Sequence, residues 1–454
     1  MNPSKIVVVG GNAAGAAAAA KAARTDPSAT VTLLEAGNFI STGTCELPYV
    51  LSGEISDYKK IVFFDEESFR IQKGVKVLTN SPVISLNRRK KEITFVREQK
   101  EEILGYDKLI LSTGAKSRIP DIPEIIAETG EGRELQNFLP FKTVSNLLRV
   151  QEEVYSAKHK RVCIIGSGFI GLELCEAFKK LNFEIMLIEK MDQIFPSGET
   201  EAGKIFNELL REMNIRIFTN ASKYKFRIKD SRITNLIIDG YDFEVDFVVN
   251  ATGFIPQNRI ALEAGLETGE SGALRVNSKL QTSDPNIYAA GDNTENINLI
   301  TRRPFYFPLA TIAQKEGHIA GENATGGNNF MRPVIPAITL KCFDHYLGTV
   351  GLNTETAKKH FRNIKSVQTT HRNLVPVMPG SRGQWGKIIY AENGNILGAS
   401  FIGGKEVSGL ADIVSTAIRF SIPITKLDET DYNYTPALSP FINILSILGR
   451  KAKS

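Results

Sequence analysis

Lys5-Ile6-Val7-Val8-Val9-Gly10-Gly11-Asn12-Ala13-Ala14-Gly15 is the stretch on which the fold turns. Lys5 to Val9 reads as a short parallel strand buried on both faces. It runs into a glycine turn and then a helix built almost wholly of alanine up to Ala20. Gly10, Gly11 and Gly15 form a G-x-x-x-x-G variant of the dinucleotide fingerprint, with Asn12 where the middle glycine usually stands. The first glycine makes the tight turn, and the last lets helix and strand approach closely. Free N–H groups at the helix start, Ala13 and Ala14 among them, then face a pyrophosphate. Thr30 to Leu34 forms a second strand that ends at Glu35, placed to accept a hydrogen bond from a ribose hydroxyl. A signal peptide shares the outline of a charged start and an apolar run, but the glycines interrupt this one.

A second unit of the same kind follows. Arg161 to Ile165 leads into Gly166-Ser167-Gly168-Phe169-Ile170-Gly171, with all three glycines, then a helix from Leu172 to Leu181. The strand Glu184 to Ile188 ends at Glu189. Its carboxylate accepts from a free ribose and repels a 2′-phosphate, which favours NADH, with NADPH as the alternative donor and Lys190 softening the preference. Two dinucleotide folds in one chain have a simple use: one holds a flavin, the other a nicotinamide.

The 454 residues exceed one compact core, so two or three domains are expected. A formal charge of +5 is far from a nucleic-acid-binding signature. No stretch reaches the roughly 18 uninterrupted apolar residues of a membrane span. Cys45, Cys163, Cys175 and Cys342 are too scattered for a disulfide framework or a zinc site, and no metal is expected. A reducing, cytoplasmic compartment fits such free thiols. Cys163 and Cys175 read as packing residues.

Three further segments complete the pattern. Tyr106 to Ala115 carries Thr113-Gly114, Phe247 to Gly253 carries Thr252-Gly253, and Thr282 to Asp292 ends in Gly291-Asp292. Over nearly the whole chain these resemble the pyridine nucleotide-disulfide oxidoreductases, flavoproteins with two Rossmann-like dinucleotide-binding domains of the glutathione-reductase type. The resemblance implies a flavin (FAD) domain at 1–140 and 251–327, a nicotinamide domain at 141–250, and a C-terminal α+β dimerisation domain at 328–454. It assigns Asp292 to the ribityl chain of FAD and places Ala36, Thr42, Val83, Thr113 and Gly114 at the flavin. Gly166, Gly168, Phe169, Ile170, Gly171, Glu189 and Gly253 line the nicotinamide nucleotide.

Ser41-Thr42-Gly43-Thr44-Cys45-Glu46-Leu47-Pro48-Tyr49 holds one cysteine with none nearby. It resembles the single-cysteine branch of that family, with its pattern close to Cys-x-Leu-Pro-Tyr. That branch holds coenzyme A disulfide reductases, persulfide and polysulfide reductases, and NADH oxidases and peroxidases. There the thiolate forms a mixed disulfide with a substrate sulfur or cycles through a sulfenic acid. A helix dipole and an oxidised flavin are expected to hold Cys45 as thiolate. The oxidases and peroxidases place a histidine in the first glycine loop. Ala13 stands there instead, which moves the reading toward disulfide or persulfide reduction.

Arg24, Ser41 and Lys73 match residues around the substrate in the coenzyme A reductases, with Arg24 and Lys73 suited to its phosphates. Tyr434, in a Tyr-x-Pro segment, matches a tyrosine that reaches the other subunit's active site, so a homodimer with shared sites is implied. Four departures stand against coenzyme A itself. Met378 or Val377 occupies the position of a second tyrosine, Ile442 that of a basic residue, Glu46 that of a small residue and Thr44 that of an asparagine. The expected substrate is thus a small disulfide, a persulfide or a polysulfide. The alternatives are an NADH oxidase and a flavoprotein that supplies electrons to a protein partner. Gly326-Gly327-Asn328-Asn329 reads as a hinge, and Phe441 to Ser454 as a short amphipathic helix at a dimer contact.

Overall fold

A computed structural model of the chain describes residues 3–130, 135–221 and 223–453. Its first sheet is all parallel and is built around β1 (Lys5–Val9). On one side of β1 lies β2 (Thr30–Leu34) and beyond it Lys76–Leu78; on the other lie Lys108–Leu111 and then Ile287–Ala289. The strand order therefore reverses at β1, and a ligand crevice opens outside the carboxyl ends of strands at such a point.

Between β1 and β2 runs α1 (Ala13–Thr25), longer than the alanine run alone. Alanine carries the best helix propensity and the smallest side chain that still favours a helix. That small bulk lets α1 lie almost backbone to backbone on the Ala310–Ala324 helix. A Cβ added to Gly317 would stand 2.2 Å from the Ala14 carbonyl oxygen, and one on Gly321 2.3 Å from that of Ala18.

The second sheet repeats the plan. Arg161–Ile165 is flanked by Glu184–Ile188 and Arg216–Phe218 on one side, and by Phe247–Asn250 and Phe138–Pro140 on the other, all parallel. The chain passes between the two sheets twice. After Thr113-Gly114 the strand Ala115–Ser117 pairs antiparallel with Phe254–Pro256, which follows Thr252-Gly253. A third sheet, Ala337–Cys342 with His345–Gly351, Ile396–Gly403, Gly383–Ala391 and Ile364–Arg372, is antiparallel throughout and packs against the Val407–Arg419 helix.

Buried charge ties the second sheet to the third. Lys387 Nζ lies 2.7 Å from Glu199 and 3.0 Å from Glu201. Glu199 also accepts from the N–H and hydroxyl of Thr354. Glu176 likewise binds Lys180 at 2.7 Å, the Phe343 N–H at 2.7 Å, and Lys341. The tail forms a helix over Ile444–Lys451, shorter than the expected one, and Ser454 lies outside the described residues. Among the described residues no helix is long and apolar enough to cross a membrane.

Candidate active site

Gly10 has a φ of +103°, and a Cβ there would stand 2.1 Å from the Ser112 carbonyl oxygen. Only glycine fits, so the turn that starts α1 is fixed by sequence. Glu35 closes it: one carboxylate oxygen accepts from the Gly11 N–H at 2.7 Å and the other from the Gly37 N–H at 2.8 Å. A carboxylate offers about four acceptor sites, so room remains for ribose hydroxyls. Asn12 has a job of its own. Its Oδ1 accepts from the Thr42 N–H at 3.0 Å, while the Gly11 carbonyl accepts from the Ser41 N–H at 2.8 Å. The glycine turn therefore grips β3 (Ile40–Thr42), the strand that leads to the cysteine. Ser41 takes the left-handed region in that grip, with φ +49°.

Buried oxygens without partners gather beneath this turn. They are Ser112 Oγ, Asn293 Oδ1 and Glu316 Oε1. Ser112 Oγ lies 3.2 Å from where a Gly15 Cβ would stand. The other oxygen of Glu316 accepts from the Gly291 N–H at 2.5 Å, and burial pushes this carboxyl up to about 7. Polar atoms set this deep suit a bound cofactor and its waters. Asp292 follows Gly291, paired at 3.1 Å with Lys142. Thr113 donates to the Gln257 carbonyl, Gly114 sits at φ +66°, and Val83 packs half-buried beside the first sheet. Ala36 is exposed just beyond Glu35.

At the second turn Glu189 is buried and accepts from the Ser167 N–H and hydroxyl and from the Met191 N–H, at 2.7–2.9 Å. A Cβ on Gly168 would meet nothing within 4 Å, so this glycine faces open space where a pyrophosphate would lie. Gly171 packs its turn against the Gly166 carbonyl. Phe169 stands edge-on to Phe195 with centroids 4.9 Å apart, and Ile170 is half-buried beside it. Gly253 takes φ +96° where the chain crosses back.

Cys45 lies between these turns. It is the one exposed cysteine, and Cys163, Cys175 and Cys342 are buried. It sits in a single 3-10 turn, Thr44–Glu46, ahead of a five-residue helix α2 (Leu47–Leu51). So short a helix offers little dipole. Although the thiol is open to solvent on one side, desolvation by the chain around it is the largest influence on its pKa, and the shift is upward. Glu46, Glu173 and Asp292 push the same way, and Lys142 opposes them. The chain by itself thus favours the thiol, against the expectation of a thiolate held by a helix dipole. Glu46 turns its carboxylate back over Gly43, beside the exposed ring of Phe63.

The substrate candidates each have local contacts of their own. Lys73 lies over the Phe64 ring at 5.2 Å, and Phe64 pairs with Ile40 next to Ser41. Arg24 is exposed twelve residues along α1 from Asn12, about 18 Å at 1.5 Å per residue. It stands near His318, whose pKa burial and then Arg24 and Lys21 lower. Tyr434 is exposed and packs edge-on against Phe441 at 5.3 Å. Its ring contact is with this tail segment.

Sequence reasoning missed Lys142 and Glu173. No motif marks either, although Glu173 lies two residues beyond Gly171 on a helix that a cofactor-binding turn begins. Burial, with Glu176 beside it, pushes the Glu173 carboxyl up to about 8. It lines a cavity of about 290 Å³ with Tyr49, Lys341, Tyr346 and Lys405.

Two glycine turns at two parallel sheets, with a lone thiol between them, define a dinucleotide-dependent oxidoreductase. The chain belongs to the pyridine nucleotide-disulphide oxidoreductase family, whose pattern matches residues 4–317. It is 28% identical over 455 residues to the NAD(P)H coenzyme A polysulfide/persulfide reductase of Pyrococcus horikoshii, covering 99% of this chain and 98% of that one. It is 27% identical over 450 residues to an NADH oxidase of Methanocaldococcus jannaschii, with the same coverage. The structure of an NAD-dependent persulfide reductase from A. fulgidus superposes with a TM-score of 0.93 at 31% identity, covering 99% of this chain and 83% of that one.

Proposed function

We propose that this enzyme uses FAD and NADH, with NADPH as a second donor, to reduce a low-molecular-weight disulfide, persulfide or polysulfide through Cys45. One observation carries the reading: the single exposed thiol adjoins the first glycine turn while every other cysteine is buried. With no internal partner, the sulfur it exchanges with must come from outside. FAD, when bound, supplies the two-electron relay between nicotinamide and sulfur. For a disulfide the balance is NADH, one proton and RSSR giving NAD⁺ and two RSH.

The chain's own residues divide the work. Gly10, Gly11, Asn12, Ala13, Ala14, Gly15, Glu35 and Asp292 hold the flavin nucleotide, and Gly166–Gly171 with Glu189 hold the nicotinamide nucleotide. Asn12 fixes the strand that presents Cys45. Cys45 attacks the substrate sulfur, so the sulfur–sulfur bond breaks and one thiol leaves. Arg24 and Lys73 are basic side chains suited to the phosphates of an anionic substrate of coenzyme A type, a reading supported by the name of the P. horikoshii relative.

The first sheet with its returning segment is the proposed flavin domain, the second the nicotinamide domain, and the third the dimerisation domain. Phe420, Leu438 and Phe441 expose large apolar surface on that third region, 73–77% of each residue, which suits a homodimer in which Tyr434 reaches the partner's site.

NADH oxidase activity is the second reading, favoured by the M. jannaschii relative's name and opposed by Ala13. The test is NADH consumption without oxygen against coenzyme A disulfide, glutathione disulfide, persulfide and polysulfide, with oxygen and peroxide run separately. Turnover with a sulfur compound at least tenfold above that with oxygen is expected. Turnover with oxygen alone overturns the reading.

A further inference from the structure

Three parts of the fold meet around the cavity of about 290 Å³ beside Glu173. The segment that carries the cysteine contributes Tyr49 from α2, and the Phe169–Lys180 helix contributes Glu173. The third sheet supplies Leu340 and Lys341 from one strand and Tyr346 and Leu347 from the next. The Val407–Arg419 helix starts against the same space with Val407 and Ser408. Ligand pockets run about 300–1,000 Å³, so this one suits a small molecule. None of its lining residues belongs to either glycine turn.

The lining has two characters. Leu340, Leu347 and Val407 are buried and form an apolar floor. Around that floor stand polar groups that the chain leaves unused. Among the described residues the Lys405 ammonium, the Tyr49 and Tyr346 hydroxyls and the Glu173 carboxyl make no hydrogen bond or ion pair within the chain. Lys341, already shared with Glu176, adds a second cation. No side chain caps the Val407–Arg419 helix, so its positive end adds to the same field. Burial pushes the Glu173 carboxyl up to about 8, so near neutral pH it is a hydroxyl donor and does not repel an anion.

We propose that this cavity is a second binding site, for a small organic carboxylate: its charged end meets Lys405 and the Tyr49 and Tyr346 hydroxyls, and its apolar body covers Leu340, Leu347 and Val407. An inorganic oxyanion would leave that floor uncovered, so an acid with an aromatic or branched body fits better. The site stands apart from sulfur exchange at Cys45 and does not depend on it.

Isothermal titration calorimetry of the FAD-loaded full-length chain tests this, with saturating NAD⁺ present to occupy the nicotinamide site. The probes are benzoate, isovalerate and sulfate at pH 7. Benzoate or isovalerate is expected to bind with a Kd below about 10 mM, and sulfate roughly tenfold more weakly or not at all. Lys405→Met is expected to weaken the carboxylate roughly tenfold. Ser408→Trp sets a bulky ring at the mouth and is expected to abolish saturable binding. Both positions are exposed, and flavin content and melting temperature check the fold.

A pH arm reads Glu173. It is faced by Glu176 on its own helix, Lys341 and Cys342 on the Ala337–Cys342 strand, and Cys45 and Tyr49 on the cysteine segment. Burial raises both thiols and the Tyr49 phenol above their ordinary values. Glu173 therefore loses its proton first, and carboxylate affinity is expected to fall roughly tenfold from pH 7 to pH 9. Glu173→Gln is expected to hold it. The proposal is overturned by no saturable carboxylate binding, by sulfate binding as tightly, by affinity unmoved in both Lys405→Met and Ser408→Trp, or by a parent affinity unchanged at pH 9.

Discussion

The two glycine turns share a strand order, a reversal point and a terminal glutamate, yet they are anchored by opposite means. The first is held by apolar close packing, with α1 pressed on the Ala310–Ala324 helix at distances only glycine allows. It also grips a neighbour, through Asn12 to Thr42. The second reaches the third sheet through buried charge, at Lys387 with Glu199 and at Glu176 with Lys341. The first turn thus fixes in place the segment that carries Cys45, the proposed redox thiol. The second carries no such segment, and its middle glycine faces open space.

The largest difference is expected from the glycines themselves. A side chain at Gly15 would place its Cβ 1.7 Å from the Gly10 carbonyl oxygen, against backbone that cannot yield. Gly15→Val is therefore expected to lower FAD retention at least a hundredfold, read as the ratio of flavin to protein absorbance. Gly168→Ala meets no atom of the chain and is expected to raise the KM for NADH only several-fold. Equal effects of the two would break the contrast.

Next comes the buried charge. Lys387→Met strands Glu199, which is 3% exposed, without its cation. Breaking one side of such a pair costs about 3–5 kcal/mol, and urea unfolding should show that loss. A change below about 1 kcal/mol would mean that apolar packing also holds the second region.

The smallest effect concerns Glu316 beneath the first turn. Burial raises its carboxyl from 4.5 to about 7, so folding takes up a proton between those values. Its stability contribution is full below about pH 4.5 and is lost as pH rises through 7, a change of roughly 1–3 kcal/mol. Flavin-free protein should melt a few degrees lower near pH 8 than near pH 5. Glu316→Gln keeps an acceptor for the Gly291 N–H and should flatten that slope. A slope unchanged in the variant would assign it to another group.

What the sequence disclosed follows from distance along the chain. Gly10, Gly15 and Glu35, or Gly166, Gly171 and Glu189, act within one strand-turn-helix-strand unit, where spacing dictates geometry. Lys142 meets Asp292 across 150 positions, and Lys387 meets Glu199 across 188. No periodicity encodes such meetings. Asn12 looked like a departure from a glycine pattern, because its partner Thr42 lies on another strand. A helix dipole and an oxidised flavin are the expected supports of a thiolate at Cys45, and the helix that follows it, Leu47–Leu51, is little more than one turn. Charge around the thiol is therefore set by Lys142 and the three acids, which composition cannot reveal.

The central claim is that Cys45 is the nucleophile and that no other thiol of the chain replaces it. Cys45→Ser protein, loaded with FAD and mixed anaerobically with NADH and the best disulfide or persulfide acceptor, tests it most directly. The flavin absorbance should bleach as in the parent, while reduction of the sulfur compound falls at least a thousandfold. Sulfur reduction at the parent rate by a flavin-loaded Cys45→Ser enzyme would contradict the account.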